Sequence, residues 1–302
     1  MDFRTLRAFV EVVRQGGFSQ AARTVNATQS TVSKAVRQLE DEIGAPLLER
    51  LGHRTRLTDL GEIVYPRAVR LLADRRDLML ELDEVRGLTR GTLRLGLPPV
   101  GSSSIFAPLL ARFRARYPEI EVRLTEHGGD QLADLVRTGD LELAAALAPH
   151  SDEFDWQDVR RGPLVALVAT DHPLARRRAT DLAALRDEPF VLFAEGFAIN
   201  RLIAEACQRS GFAPVVAARS SQVDFLIELA ASGLGVAFLP RELARHAPVA
   251  RVRPLLLTDP GTEWRLTLIW RRGAYLSHAA RAWLDMAKPA AGGKSIPRGT
   301  GY

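Results

Sequence analysis

From Thr28 to Ile43 the chain separates two kinds of residue at a spacing that belongs to an α-helix. Val32, Val36, Leu39 and Ile43 recur at steps of three and four and share one face, while Ser30, Ser33, Lys34 and Arg37 gather on the opposite face. Thr28 is suited to cap the start of such a helix. No Asp or Glu occurs from Thr28 through Leu39. Serine and threonine are mediocre helix formers, so helix stability explains Ser30, Thr31 and Ser33 poorly. Short hydrogen-bonding side chains beside two cations instead suit a helix entering a DNA major groove about 12 Å wide, where they reach base edges and phosphates.

The flanking residues build a small domain around this helix. Leu6, Phe9, Val10 and Val13 form a first apolar stripe that Gly16 and Gly17 end; Phe18, Ala21, Ala22 and Val25 form a second, with small alanines that let another helix approach. Asn26 to Thr28 is then the turn. After Gly44, the stretch APLLERLGHRTRLT reads as a short hairpin turning at Gly52 and His53. Such a hairpin is a wing, and Arg50, His53, Arg54 and Arg56 suit it to phosphates or a narrow minor groove. Residues 1–58 therefore read as an all-α winged helix-turn-helix.

Residues 59–88 read as one long helix. Val64, Leu71, Leu78 and Val85 fall every seventh residue with Ala68, Arg75 and Leu82 between them, a heptad-like seam that predicts a homodimer. Arg75 on the seam and Pro66 near its start depart from an ideal coiled coil and predict a short contact with a kink.

Beyond residue 89 the pattern changes to short apolar strands alternating with helices: 93–97, 120–126, 141–147, 165–169, 190–193 and 235–239. That alternation predicts parallel sheets with crossover helices, and ligands sit beyond the carboxyl ends of such strands. Four loops stand at such positions: PPVGSSSIF, EHGGD, FAEGFAINR and SSQVDF. Serines and free amides at a helix start suit a carboxylate or another small anion, although any single serine there is equally explained as a cap.

With 302 residues, 46% hydrophobic and 25% charged, the chain has material for two or three folding units. The net charge of +5 permits a nucleic-acid partner without requiring one. A lone cysteine, Cys207, excludes an intramolecular disulfide and a Cys-rich zinc site, and fits a reducing compartment. The start carries charges throughout and nowhere is there an uninterrupted apolar run of membrane length, so neither a leader nor a membrane helix is expected and the location is read as cytoplasmic. Residues 288–302 are rich in Gly and Pro without periodicity and read as a flexible tail.

The run FSQAARTVNATQSTVSKAVRQLEDEIGAPLLERLGHRTRLTDLGE resembles the DNA-binding segment of LysR-type transcriptional regulators, in order and without gaps, and a weaker resemblance continues to about residue 287. The resemblance implies a winged helix-turn-helix, a dimerising linker helix, an α/β two-lobed effector-binding domain of periplasmic-binding-protein type, and a homotetramer on double-stranded operator DNA. It places DNA contacts at Gln29, Ser30, Thr31, Ser33, Lys34 and Arg54, to which the helix face adds Arg37 and the wing tip His53. It places the effector site at the four loops, at Ser102, Ser103, Gly129, Phe197, Asn200 and Gln222. Lobe I is expected at 92–148 and 265–287 and lobe II at 149–264, with a hinge near Ala148 and Pro149 and near Thr262 to Trp264. RNA polymerase is a partner if the regulator is an activator. Peroxide-sensing members need a cysteine pair, which this chain lacks.

Two other classes compete with this one: a solute-binding module whose N-terminal helices serve only association, and an enzyme. The acid-free helix face argues against the first. GxGxxG after a strand, GxxxxGK[ST], GxSxG and metal-ligand clusters are all missing from the sequence, so no catalytic residue, metal or cofactor is expected.

Overall fold

The computed structural model describes residues 1–51, 54–86, 91–148, 150–245, 247–248 and 250–289. The chain divides into two compact units, Met1–Gly87 with Arg137–Asp140, and Leu88–Val136 with Leu141–Tyr302. The expected contact at His53, the hinge residue Pro149 and the tail from residue 290 lie outside the described residues.

In the N-terminal unit, α1 (Phe3–Gln15) starts on an Asp2 cap and ends at Gly16, which takes a left-handed conformation (φ 70°). Next come α2 (Phe18–Thr24) and α3 (Gln29–Ile43). Asn26 turns the chain between them at φ 54°, a conformation asparagine tolerates better than most residues. The wing is an antiparallel pair, β1 (Leu48–Leu51) and β2 (Arg54–Leu57). Glu40 anchors it, accepting from the backbone N–H groups of Leu47 (2.8 Å) and Leu48 (3.2 Å).

The long helix α4 (Asp59–Val85) begins on a Thr58 cap and runs on through Pro66. Its first turn presses so close to the wing that a Cβ on Gly61 would stand 2.1 Å from the Leu47 carbonyl oxygen. The expected seam divides along its length. Val64 and Ala68 pack on the core formed by Leu6, Phe9, Val10, Val32, Val36 and Leu39, and Tyr65 meets Phe9 edge to face at 6.2 Å. Further along, Leu71 is 42% exposed, Leu78 55% and Val85 81%. Arg75 is drawn over the Phe3 ring, 5.3 Å from its centroid. The opening third of the seam is thus part of its own domain's core, and the remainder stays apolar and open.

The second unit is a mixed sheet with helices on its faces. In chain order it comprises β3 (Thr92–Leu97), a π-helical turn (Ser102–Phe106) leading into α5 (Ala107–Arg116), β4 (Glu121–Glu126), α6 (Gly129–Arg137) and β5 (Leu143–Leu147). There follow β6 (Phe154–Ala169), β7 (Ala179–Thr180), β8 (Phe190–Phe193), α7 (Ala198–Arg209), β9 (Val216–Ser220), α8 (Val223–Ala231) and β10 (Val236–Pro240). The unit closes with α9 (Arg241–Ala244), β11 (Val252–Leu257), β12 (Glu263–Arg271) and α10 (His278–Met286). The sheet runs β4-β3-β5-β12-β6-β10-β8-β9, with β11 pairing β6 and β7.

The all-parallel expectation needs correction. β3 is parallel to β4 and β5, and β8 to β9 and β10, but β6 is antiparallel to β10, β11 and β12. β6 is long enough to serve both halves: residues 154–163 pair with β12, and 164–169 pair with β10 and β11. β6 therefore carries the chain out of the half that holds β5 and β12 near Pro163 and Leu164, later than the crossing expected near Ala148, because residues 154–163 are still paired with β12. Among the described residues no helix is long and apolar enough to span a membrane.

Candidate functional site

The α3 face divides as its spacing predicts. Val32, Val36 and Leu39 are buried, while Gln29, Ser30, Thr31, Lys34 and Arg37 are exposed and Ser33 is half-buried. Thr28 organises the first turn: its hydroxyl accepts from the Thr31 N–H (3.2 Å) and lies 2.9 Å from the Ser30 hydroxyl and 2.8 Å from that of Thr31. Ser19 on α2 donates to the Gln29 side-chain oxygen at 3.2 Å, so the neighbouring helix steadies the outermost residue of this turn. Among the described residues Lys34 and Arg37 have no acidic partner. The result is a helix N-terminus carrying ordered polar side chains, followed by two free cations, which suits a polyanion with readable edges. Arg54 opens β2 at the wing.

The second unit contains a cleft open to solvent. Pro98, Val100 and Gly101 after β3, Gly129 at the start of α6, and Ala145 to Leu147 on β5 form one side. Phe197 to Ile199 at the start of α7, Pro240 at the end of β10 and Leu243 on α9 also line the cleft, as do Trp264 and Leu266 on β12, where Leu266 pairs with Leu147. Across the mouth the two lobes nearly touch, since a Cβ on Gly128 would lie 3.2 Å from the Gly196 carbonyl oxygen. Phe197 stacks on Phe193 with ring centroids 5.2 Å apart.

Of the six residues expected at this site, Gly129 and Phe197 line the cleft. Ser102 lies inside the first helical turn, where its hydroxyl donates to the Pro98 carbonyl. Ser103 belongs to the same turn. Asn200 is occupied in tying α7 to the end of β8: its amide nitrogen donates to the carbonyls of Phe193 and Ala194 (both 2.9 Å) and its oxygen accepts from the Phe193 N–H (3.1 Å). Gln222 caps α8, is exposed, and does not line the cleft. The lining residues missed by sequence reasoning are chiefly apolar, and Trp264 and Leu266 were legible only through the period-two pattern of Trp264, Leu266 and Leu268.

Behind the cleft floor lies a polar pair. Thr267 donates to the Ala146 carbonyl (3.0 Å), so its oxygen is left to accept from His150 Nε2 at 2.6 Å. Burial first, then the nearby Arg265 guanidinium, pushes the His150 pKa down to about 4, which keeps the ring neutral. Arg265 is itself bound to Asp158 through two nitrogens, at 2.6 and 2.9 Å. Cys207 is buried on α7 with its thiol pushed up to about 11, chiefly by burial, and is not a nucleophile at neutral pH.

Comparison with known proteins agrees with both halves. Residues 3–62 match the bacterial regulatory helix-turn-helix of the LysR family, and residues 86–292 match the LysR substrate binding domain. The HTH-type transcriptional regulator YwbI of Bacillus subtilis is 35% identical over 95% of this chain and 96% of its own. Full-length OxyR of Pseudomonas aeruginosa shares the fold at TM-score 0.64 and 23% identity, covering 95% of this chain and 94% of that one. CbnR, solved in complex with its target DNA, shares it at TM-score 0.54 and 20% identity, covering 95% and 98%. With a helix-turn-helix whose third helix presents ordered polar groups and free cations, and a two-lobed unit enclosing a small-molecule cleft, the chain belongs to the LysR family of DNA-binding transcriptional regulators.

Proposed function

We propose that α3 reads double-stranded operator DNA through Gln29, Ser30, Thr31, Ser33, Lys34 and Arg37, with Arg54 and His53 on the wing, and that a small anionic metabolite in the cleft alters operator binding or promoter activation. The observation that carries the DNA half is the α3 face, polar and cationic outward and buried through Val32, Val36 and Leu39 inward. The anion half is supported by the positions of Gly101, Gly129 and Ala198, which line the cleft at the starts of helical turns.

The domain organisation we propose is 1–58 for DNA binding, 59–88 for the linker, 89–287 for the effector-binding domain and 288–302 for the tail. The lobes we propose part within β6, near Pro163 and Leu164, and rejoin near Thr262 to Trp264. The exposed part of α4, from Leu71 through Leu78 and Leu82 to Val85, is the dimerising stretch, and pairs of dimers form the tetramer. Such a regulator acts in the cytoplasm, where the promoter lies, and contacts RNA polymerase when it activates. Effector binding shifts the balance between subunit arrangements whose half-site spacings differ.

Operator fragments selected from a random DNA pool and footprinted with the full chain test this. Ser33→Ala is expected to change the preferred sequence, and Lys34→Ala to weaken all sequences alike while flattening the salt dependence. Unchanged affinity and salt slope in both variants would remove α3 from the interface. Ser102→Ala, which frees the turn from Pro98, is expected to lower the metabolite's effect and leave basal operator binding intact.

A further inference from the structure

We infer that the turn between α6 and β5, Thr138 to Asp140, is a clasp that fixes the angle between α1 and α4 and thereby sets the half-site spacing that the dimer accepts; this rests on α3 reading DNA within a dimer paired through α4. The turn belongs to the same compact unit as the DNA-binding head. Asp140 reaches both helices with one carboxylate: Oδ2 accepts from Arg14 on α1 at 2.5 Å, and Oδ1 pairs with Arg76 on α4 at 2.7 Å. Thr138 repeats the bridge. Its hydroxyl oxygen accepts from Arg14 (2.8 Å) and its carbonyl from Arg76 (2.9 Å), while the hydroxyl donates to Asp140 Oδ2 (2.8 Å). Glu11, one turn back on α1 and buried, accepts from Arg14 Nη1 at 3.3 Å. Between the two polar residues Gly139 turns at φ 71° and lies so close to α4 that a Cβ would stand 3.1 Å from the Cβ of the fully buried Ala73. Burial alone would raise the Asp140 carboxyl, but Arg76 and Arg14 outweigh it and hold it below the usual carboxylate range, so the clasp is charged on both sides at neutral pH.

The place of the clasp gives it leverage. On a wheel stepping about 100° per residue, Ala73 and Arg76 fall opposite Leu71, Leu78 and Leu82. It therefore grips the back of α4 and leaves the apolar seam open to a partner copy. Leu72 is the last α4 residue packed on the head's core, and the clasp adds a polar hold one turn beyond it. α1 carries α3 through the core of Phe9, Val10, Val32 and Val36, while α4 carries the seam. The angle between α1 and α4 thus decides how far apart, and at what rotation, two recognition helices meet the duplex. α6 starts at Gly129 in the cleft lining and its nine residues, about 14 Å of helix, lead directly into the clasp.

The test measures the affinity of the full chain for a selected operator and for the same fragment with one base pair inserted between its half-sites, which turns one half-site by about a tenth of a helical turn. The insertion is expected to weaken binding about tenfold in the unaltered chain and less than about threefold in Asp140→Asn, which keeps the side chain's shape and removes its charge. Affinity for a fragment with a single half-site should agree within about twofold between the two chains. A disulfide supplies the rescue. Gly139→Cys with Ala73→Cys, in a chain that also carries Asp140→Asn and Cys207→Ala, brings two Cβ atoms near the separation of about 3.8 Å that a disulfide takes. Oxidised, that chain should regain the loss of about tenfold on insertion; reduced, it should not.

An insertion that costs the unaltered chain and Asp140→Asn equally, or the oxidised and reduced chains equally, would overturn the inference. Weakened half-site binding in Asp140→Asn would also overturn it, because the turn would then support the fold of the head and not the spacing. Failure of the unaltered chain to bind any selected operator or half-site would overturn the α3 reading itself.

Discussion

The two recognition surfaces of this protein are built on opposite plans. The α3 face holds its functional groups on consecutive turns of one helix, all of them side chains, polar and mostly exposed. The cleft gathers residues from six places in the chain, and their side chains are almost all apolar. A polyanion with a repeating backbone can be met by charge and side-chain hydrogen bonds, because water and salt remain at the interface. A small molecule enclosed between two lobes is selected by shape and by the few polar groups left unpaired. The difference teaches that the head should be sensitive to salt and to single polar substitutions, and the cleft to volume and close approach.

The largest effect expected from that contrast is at Gly61. Its Cα faces the Leu47 carbonyl so closely that Gly61→Ala must separate α4 from the wing, at a cost of about 3 kcal/mol. Urea unfolding should show a destabilised N-terminal unit, and DNA binding should be lost while the affinity for a carboxylate metabolite selected by thermal-shift screening stays unchanged. Loss of both would mean that the two surfaces do not fail independently. Next in size is the double variant Lys34→Ala with Arg37→Ala, expected to weaken operator binding about a hundredfold and to reduce the slope of log affinity against log salt by about two. A slope that stays put would place these cations away from phosphates.

On the cleft side, Gly128→Ala forces the approach to the Gly196 carbonyl to widen, at about 1 kcal/mol, or roughly fivefold in affinity for the same metabolite. The DNA salt slope should not change. The smallest effect is a pH dependence at His150. The folded ring stays neutral down to about 4, while in the unfolded chain it titrates near its ordinary 6.5. Between those values the unfolded chain binds more protons, so stability is full above the upper value and is lost as pH falls through the window. Thermal melts should drop by about 2–4 °C more in the unaltered chain than in His150→Gln between about pH 7 and pH 5. Equal drops would show that the ring is not held neutral.

The same contrast explains what was legible in the sequence. Periodicity of 3.6 puts Val32, Val36 and Leu39 on one side of a helix whatever surrounds it, and the head follows from that rule. β8 and most of β3, β4, β5 and β10 were likewise visible as short apolar runs. The first half of β6 was not, because FDWQDVRRGP carries charges, a Gly and a Pro and is a strand only through its pairing with β12. The α4 seam read correctly as apolar, yet its spacing cannot tell the chain's own core, which takes Val64 and Ala68, from a partner's. In the cleft, Asn200 looked like a ligand contact because an amide near a helix start often is one; its neighbours Phe193 and Ala194, seven and six residues earlier, claim it instead. The apolar walls carry no local signal, since Leu147, Leu243 and Leu266 meet only in the folded unit.

The central claim is that occupancy of the apolar cleft changes how the head holds DNA. Titrating a selected operator fragment with the full chain, with and without a saturating carboxylate metabolite selected by thermal-shift screening, and repeating both titrations with Ala146→Trp, tests it most directly. The account predicts an operator affinity shifted by about 5-fold or more in the unaltered chain, no shift in Ala146→Trp, and the same basal affinity in both. An unshifted affinity in the unaltered chain, or an equal shift when the cleft is filled by tryptophan, would contradict it.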